Sequence, residues 1–141
     1  NVSKNSIDPK TWLTNHYTNR HGEMVCQICN HEMPFKKRNG TYYFEAVEIF
    51  TSSLLKKENE ANYLALCPLC SAKYQEYIKQ DTAAMVKIKS AVQEAYDDQQ
   101  KIGIILDGNT PNAAIRFIQS HLFDLKIYLG SIDDEDDKLP K

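Results

Sequence analysis

Apolar side chains recur at helical spacing in several stretches of the chain and in short strand-like runs in others. Asp8-Pro9 puts a capping side chain before a proline at the first helical position, which predicts a short helix over residues 10–16 with Trp12 and Leu13 as its apolar contacts. Past Gly22 the pattern turns to loop and strand. Asn39-Gly40 is a hairpin turn signal, followed by the aromatic and β-branched run from Thr41 to Val47. Residues 52–60 are compatible with either a helical turn or a loop. From Pro68 to about Lys79 the spacing of Cys70, Tyr74, Tyr77 and Ile78 is helical, and Asp81 then caps a second amphipathic helix carrying Ala84, Ile88, Ala91, Val92 and Ala95. Residues 102–106 and 114–117 read as strands around a turn at Asp107-Gly108-Asn109. A last helix aligns Ile118, Leu122, Leu125 and Leu129, with Gly130 as its expected stop and residues 133–137 as a solvated acidic tail. Trp12 is expected to dock the first helix on the core. No internal repeat is visible.

Composition fits a folded domain: the chain has 141 residues, 42% of them hydrophobic and 26% charged, with five Gly and five Pro. Collagen-like and disordered chains are excluded. No run approaches the ~20 uncharged apolar residues of a membrane span, so no membrane partner is expected. The chain opens at Asn1-Val2-Ser3 without a signal-like segment, which reads as an excised fragment of a cytoplasmic protein. Net charge is −2, with ten Lys/Arg against eight Asp/Glu over residues 1–80 and seven against eleven over residues 81–141. Neither balance demands a nucleic acid or a membrane, and no small-molecule substrate is inferred.

The four cysteines change the picture. They form two pairs, Cys26-Gln27-Ile28-Cys29 and Cys67-Pro68-Leu69-Cys70, with thirty-seven residues between them. Two thiolates three positions apart can turn toward one point, and two such knuckles supply the four soft ligands of a closed tetrahedral zinc site. Four thiolates also suit iron or a cluster; zinc is preferred because nothing else in the chain suggests electron transfer. A redox Cys-x-x-Cys stands alone in a βαβ setting, and a disulfide inside either pair would close a strained ring. His31 is an alternative ligand, read here as a surface residue. A site closed by four protein ligands leaves no open position for substrate, so the zinc is structural.

Knuckle, hairpin, loop and a second knuckle opening a helix resemble the treble-clef fold, and residues 26–74 resemble the cysteine-bearing HNH endonucleases. The matching residues are Phe44-Glu45-Ala46-Val47-Glu48-Ile49, then Asn62, then Leu66-Cys67-Pro68-Leu69-Cys70-Ser71. The resemblance implies that Asn62 tethers the loop backbone. It also implies a general-base histidine and its neighbour where this chain has Val47 and Glu48, and a metal-holding helix histidine where it has Ser71. No histidine occurs between His31 and His121. Hydrolysis of this kind needs a neutral imidazole to take a proton from water and a metal to stabilise charge on the phosphate. Val47 can do neither, and Glu48 beside Ser71 makes a thin Mg²⁺ site. Residues 80–130 lie beyond the match and are similar to carboxy-terminal regions of large multidomain bacterial proteins, some of which carry a histidine-kinase-type ATPase.

The expected architecture is α+β. Residues 1–80 form the treble-clef zinc module with its N-terminal helix, residues 81–130 add a helix, hairpin and helix packed on it, and residues 131–141 are a disordered acidic tail. Lys36, Lys37 and Arg38 at the predicted hairpin tip, flanked by Phe35, Tyr42 and Tyr43, are the candidate contact to DNA or RNA. The bland alternative is a polar turn that merely carries cations. Lys56-Lys57 is offset by Glu58 and Glu60, and Arg116 with His121 lacks a nucleophile and reads as helix surface. The expected function is a catalytically inactive, nucleic-acid-binding module of a larger protein. A scaffold contacting other domains of a parent protein is the alternative, and an active metal-dependent nuclease the least favoured.

Overall fold

Asp8 does cap the first helix: its carboxylate accepts from the Thr11 backbone N–H at 3.1 Å and Pro9 opens α1, Pro9–Tyr17. This computed structural model describes residues 8–51, 59–96, 100–108 and 112–138, the last seven as backbone only. The elements that follow are β1 (Glu45–Glu48), a 3₁₀ turn (Glu60–Asn62), β2 (Tyr63–Leu66), α2 (Pro68–Tyr74), a π-helical turn (Gln75–Lys79), α3 (Thr82–Glu94), β3 (Lys101–Ile104), β4 (Ala113–Arg116) and α4 (Gln119–Lys138). The architecture is mixed α/β, with four helices and two small antiparallel ladders, β1 with β2 and β3 with β4. Among the described residues no helix is long and apolar enough to cross a membrane. Lys56-Lys57, Asn109 and most of the ambiguous 52–60 segment lie outside the described residues.

The ladder of β1 differs from the expected one. The Asn39-Gly40 turn is present, with Gly40 at φ 91° donating its N–H to the Lys37 carbonyl at 2.9 Å. Pairing across it is limited to the bridge between Lys36 and Tyr42, made by the Tyr43 N–H on the Phe35 carbonyl and the Lys37 N–H on the Thr41 carbonyl. Residues 45–48 instead pair with 63–66, a segment with no alternating pattern, in the register Val47 opposite Leu64. Leu64, Ala65 and Leu66 are all buried, so this short strand carries no period-2 signature.

The predicted hairpin near the C-terminus forms, Ile102 pairing with Ile115 on the core side. Leu122, Leu125 and Leu129 face the core as their spacing predicts. Gly130 does not stop α4, whose helical backbone continues to Lys138 and takes in most of the expected acidic tail. Glycine ends a helix only when the chain leaves through a left-handed conformation there, and Gly130 shows no positive φ. The buried apolar residues form one cluster from Leu13 to Leu129, so segments on both sides of residue 80 share a core.

His121 overturns its expected surface position. It is fully buried, with Nδ1 2.7 Å from the Tyr17 hydroxyl and Nε2 2.9 Å from the Ala61 carbonyl. A carbonyl only accepts, so Nε2 carries the proton and Nδ1 accepts from Tyr17. Trp12 is half-buried and meets His121 edge-on at 4.9 Å, while Leu13 and Tyr17 are the buried anchors of α1. Burial, with a smaller contribution from His16, lowers the His121 pKa to about 4. The unfolded chain takes up this proton near pH 6.5 and the fold resists it, so the stability involved is complete above about pH 6.5 and is lost progressively toward pH 4. The shift corresponds to about 3 kcal/mol. In proton NMR titrations the His121 ring should stay neutral down to about pH 4, whereas a midpoint near 6.5 would contradict its burial.

Candidate metal centre

Four sulfurs converge because two local turns aim them. In the first, the Cys26 carbonyl accepts the Asn30 N–H at 3.0 Å and the Cys26 N–H reaches the His31 carbonyl at 2.9 Å. Asn30 closes this knuckle in the left-handed region, at φ 62°, where Asn is among the few tolerated side chains. In the second, Cys67 sits at the N-cap of α2 with Pro68 after it, and Cys70 follows in the first turn. The Sγ atoms of Cys26, Cys29, Cys67 and Cys70 all lie within 4.8 Å of one another. The Cys29 and Cys67 sulfurs are 3.9 Å apart, far beyond the ~2.05 Å of a disulfide bond. All four cysteines are free thiols, Cys26 and Cys70 buried and the other two half-buried. The cluster can therefore ligate a metal ion.

Its electrostatics suit a cation. The Cys70 thiol hydrogen-bonds the Cys26 sulfur, backbone N–H groups of Cys67 and Ile28 approach it at 3.4 Å, and together they hold Cys26 down to about 5 against the opposing effect of burial. Burial pushes Cys29 up to about 11. Cys70 is held well above the usual thiol range, first by donating to Cys26 and then by burial. One anionic sulfur thus sits beside the Cys29 and Cys70 thiols, which resist ionisation until a positive ion arrives.

Gln27, between the first two cysteines, had no assigned role from the pattern of residues, yet it is 1% exposed and fixes the knuckle. Its Oε1 accepts from the Ala65 N–H at 2.8 Å, and its Nε2 donates to the Arg116 carbonyl at 2.8 Å and the Tyr17 hydroxyl at 3.0 Å. A polar residue inside a Cys-x-x-Cys pair was the one available signal. His31 is exposed, as expected. Lys36, Lys37 and Arg38 are exposed, Lys36 at the bridge to Tyr42 and the other two on the 37–40 turn, and take no part in the cysteine cluster.

The positions where the HNH resemblance expects histidines are in structural use. Val47 is buried, Glu48 lies 3.6 Å from the Lys79 ammonium, and the buried Ser71 hydroxyl accepts from Gln75 Nε2 at 3.0 Å. Asn62 is buried and clamps Phe50 on both sides, accepting its N–H and donating to its carbonyl, each at 3.1 Å. No family model, curated protein or solved structure matches the chain.

Metal binding must displace the thiol protons. At pH 7 Cys29 and Cys70 still hold theirs, so binding releases at least these two and apparent affinity should fall at least about 100-fold for each pH unit lost near neutrality. Chelator competition at several pH values measures the slope, and a pH-independent affinity would contradict the cluster as a ligand set. Metal removal should unfold the surrounding segment, because structural thiolate sites contribute ~10–16 kcal/mol against a domain stability of ~5–15. Cys67→Ser with an unchanged melting temperature would refute that.

Proposed function

We propose that the chain is a zinc-stapled, HNH-like treble-clef module that has lost its catalytic residues and binds nucleic acid through Lys36, Lys37 and Arg38. Zinc fits the donor set: a tetrahedron with Zn–S bonds of ~2.3 Å has edges of ~3.8 Å, and the Cys29–Cys67 separation is 3.9 Å. All four residues would hold the ion as thiolates, and its chemistry there is to fix the fold. The treble-clef reading is supported by the order of knuckle, ladder and second knuckle on a helix, and the HNH reading by Asn62, whose tether to Phe50 is the duty that resemblance implies. Four reduced thiols suit a cytoplasmic setting.

The observation that carries the binding proposal is the 35–43 finger. Phe35 stacks on Tyr43 at 5.2 Å with an angle of 8° between rings, and the Lys36 ammonium lies 5.1 Å from the Tyr42 ring centre. Phe35 remains 54% exposed. Cations beside an exposed aromatic face pair phosphate attraction with a stacking platform. The scaffold reading has its own support in α4, where Phe123 and Ile127, one turn apart, are 59% and 56% exposed.

Three phosphates neutralised on a duplex give a slope of roughly −2.7 in log affinity against log salt, at ~0.9 per contact. Replacing Lys36, Lys37 and Arg38 together by Ala should flatten the slope and leave metal content and melting temperature unchanged, since exposed charges contribute little to stability. No binding at ~20 mM salt, where counterion release favours binding most, would leave the scaffold as the leading function. With Val47, Glu48 and Ser71 at the matched positions, plasmid DNA should stay intact with Mg²⁺, Mn²⁺ or Ni²⁺. Nicking that disappears in Glu48→Ala would restore the enzyme.

A further inference from the structure

Lys101 and Arg116 stand directly opposite each other in the β3–β4 register. Like charges in that relation destabilise a strand pair unless something between them compensates. Among the described residues no carboxylate pairs with either, and the Arg116 Nε is buried without a hydrogen-bond partner. An orphaned guanidinium N–H is costly, and water or an anion is its usual remedy. The neighbouring positions on the same face are Gly103 and Ala114, paired with each other, so the two strands themselves place no large side chain beside the cations.

A cleft of about 230 Å³ opens beside this pair, lined also by Asn30, Gln100 and, from the first knuckle, Gln27 and Cys26, whose thiolate a bound metal ion would neutralise; no Asp or Glu stands in its walls. Room for several waters is present, at ~30 Å³ each. The Arg116 backbone cannot drift: its N–H donates to the Gln27 carbonyl at 2.7 Å and its own carbonyl accepts from Gln27 Nε2 at 2.8 Å. With the base of the side chain held, a small rotation of the guanidinium, whose Nε–H is buried without a partner, presents two parallel hydrogen bonds to a planar or tetrahedral oxyanion.

We infer that this cleft binds a phosphate oxyanion, with Arg116 as its bidentate donor and Lys101 as the opposing cation. The inference goes beyond the 36–38 finger and does not depend on it. Two sources share the chemistry, the phosphodiester of a nucleic-acid backbone and a free phosphate group.

The Arg116 Nε–H resonance of the metal-loaded full chain reads the site directly, assigned by its loss in Arg116→Lys. Inorganic phosphate should shift it saturably, and sodium chloride at matched ionic strength should not. Lys101→Gln, an exposed change that spares the fold, should weaken phosphate binding at least about tenfold through loss of a charge-assisted contact. A short duplex oligonucleotide acting at lower concentration than phosphate assigns the group to a nucleic-acid backbone, and a response to phosphate alone assigns it to a free oxyanion. The triple Ala variant of Lys36, Lys37 and Arg38 should retain the phosphate response, which separates failure of this site from failure of the finger. No saturable shift with either probe, an equal shift with chloride, or an unaltered response in Lys101→Gln overturns the inference.

Discussion

The buried carboxamide of Gln27 is the constraint on which the other parts of the molecule converge. Its backbone N–H bonds the Ala65 carbonyl at 2.9 Å, its carbonyl accepts from Arg116, and its side chain reaches β2, β4 and α1 together. Both Nε2 protons are used. Each such group left unpaired in the interior would cost ~1–3 kcal/mol, so the knuckle cannot shift without opening bonds in two ladders and one helix. The cysteine cluster is thus tied to the whole fold through the residue between its first two ligands, and loss of the metal would be felt well beyond residues 26–70.

From Gln27 the polar contacts continue inward. The Tyr17 hydroxyl accepts from Gln27 and from the Ile118 N–H, donates to His121, and His121 donates to Ala61 beside Asn62. Every member has a partner whose geometry fits its role. A fully satisfied polar chain of this kind adds little to net stability but penalises any alternative packing, because a shifted arrangement would strand several groups at once. Tyr74 plays a similar part, its hydroxyl bonding the Ile49 carbonyl at 3.0 Å from a fully buried ring. The apolar contacts supply the driving force, and these few polar groups select one arrangement of the helices.

This division explains what was legible in the sequence. Features whose physics is local could be read: the Asp8-Pro9 and Asp81 caps, the paired cysteines, the Leu122-Leu125-Leu129 stripe and the β3–β4 hairpin each depend on neighbours a few positions away. β2 was missed because a strand buried on both faces has no alternation and because its partner lies across a connection of more than a dozen residues. His121 and Gln27 were missed for a different reason. Their burial becomes favourable only through partners such as Tyr17, which is 104 positions from His121, and Ala65, which is 38 from Gln27. A periodicity argument leaves polar residues at the surface, as with His121, or without a role, as with Gln27, and both of these positions help organise the core.

The same geometry bears on what the module can do. Val47, Glu48 and Ser71 are engaged in packing, an ion pair and a hydrogen bond, so the positions where the HNH resemblance expects histidines serve the fold. Among the surface features not engaged in this way are the aromatic finger with its three cations and the cleft beside the first knuckle. These two are not equally supported from within. The finger projects on a turn held by a bridge and a few loop bonds, so its geometry can adapt to a partner. The cleft is different, because Gln27 grips Arg116 at both its N–H and its carbonyl. A metal ion bound at the cysteines would order the knuckle and, through these two bonds, the Arg116 backbone as well, although such an ion would have no open coordination position of its own.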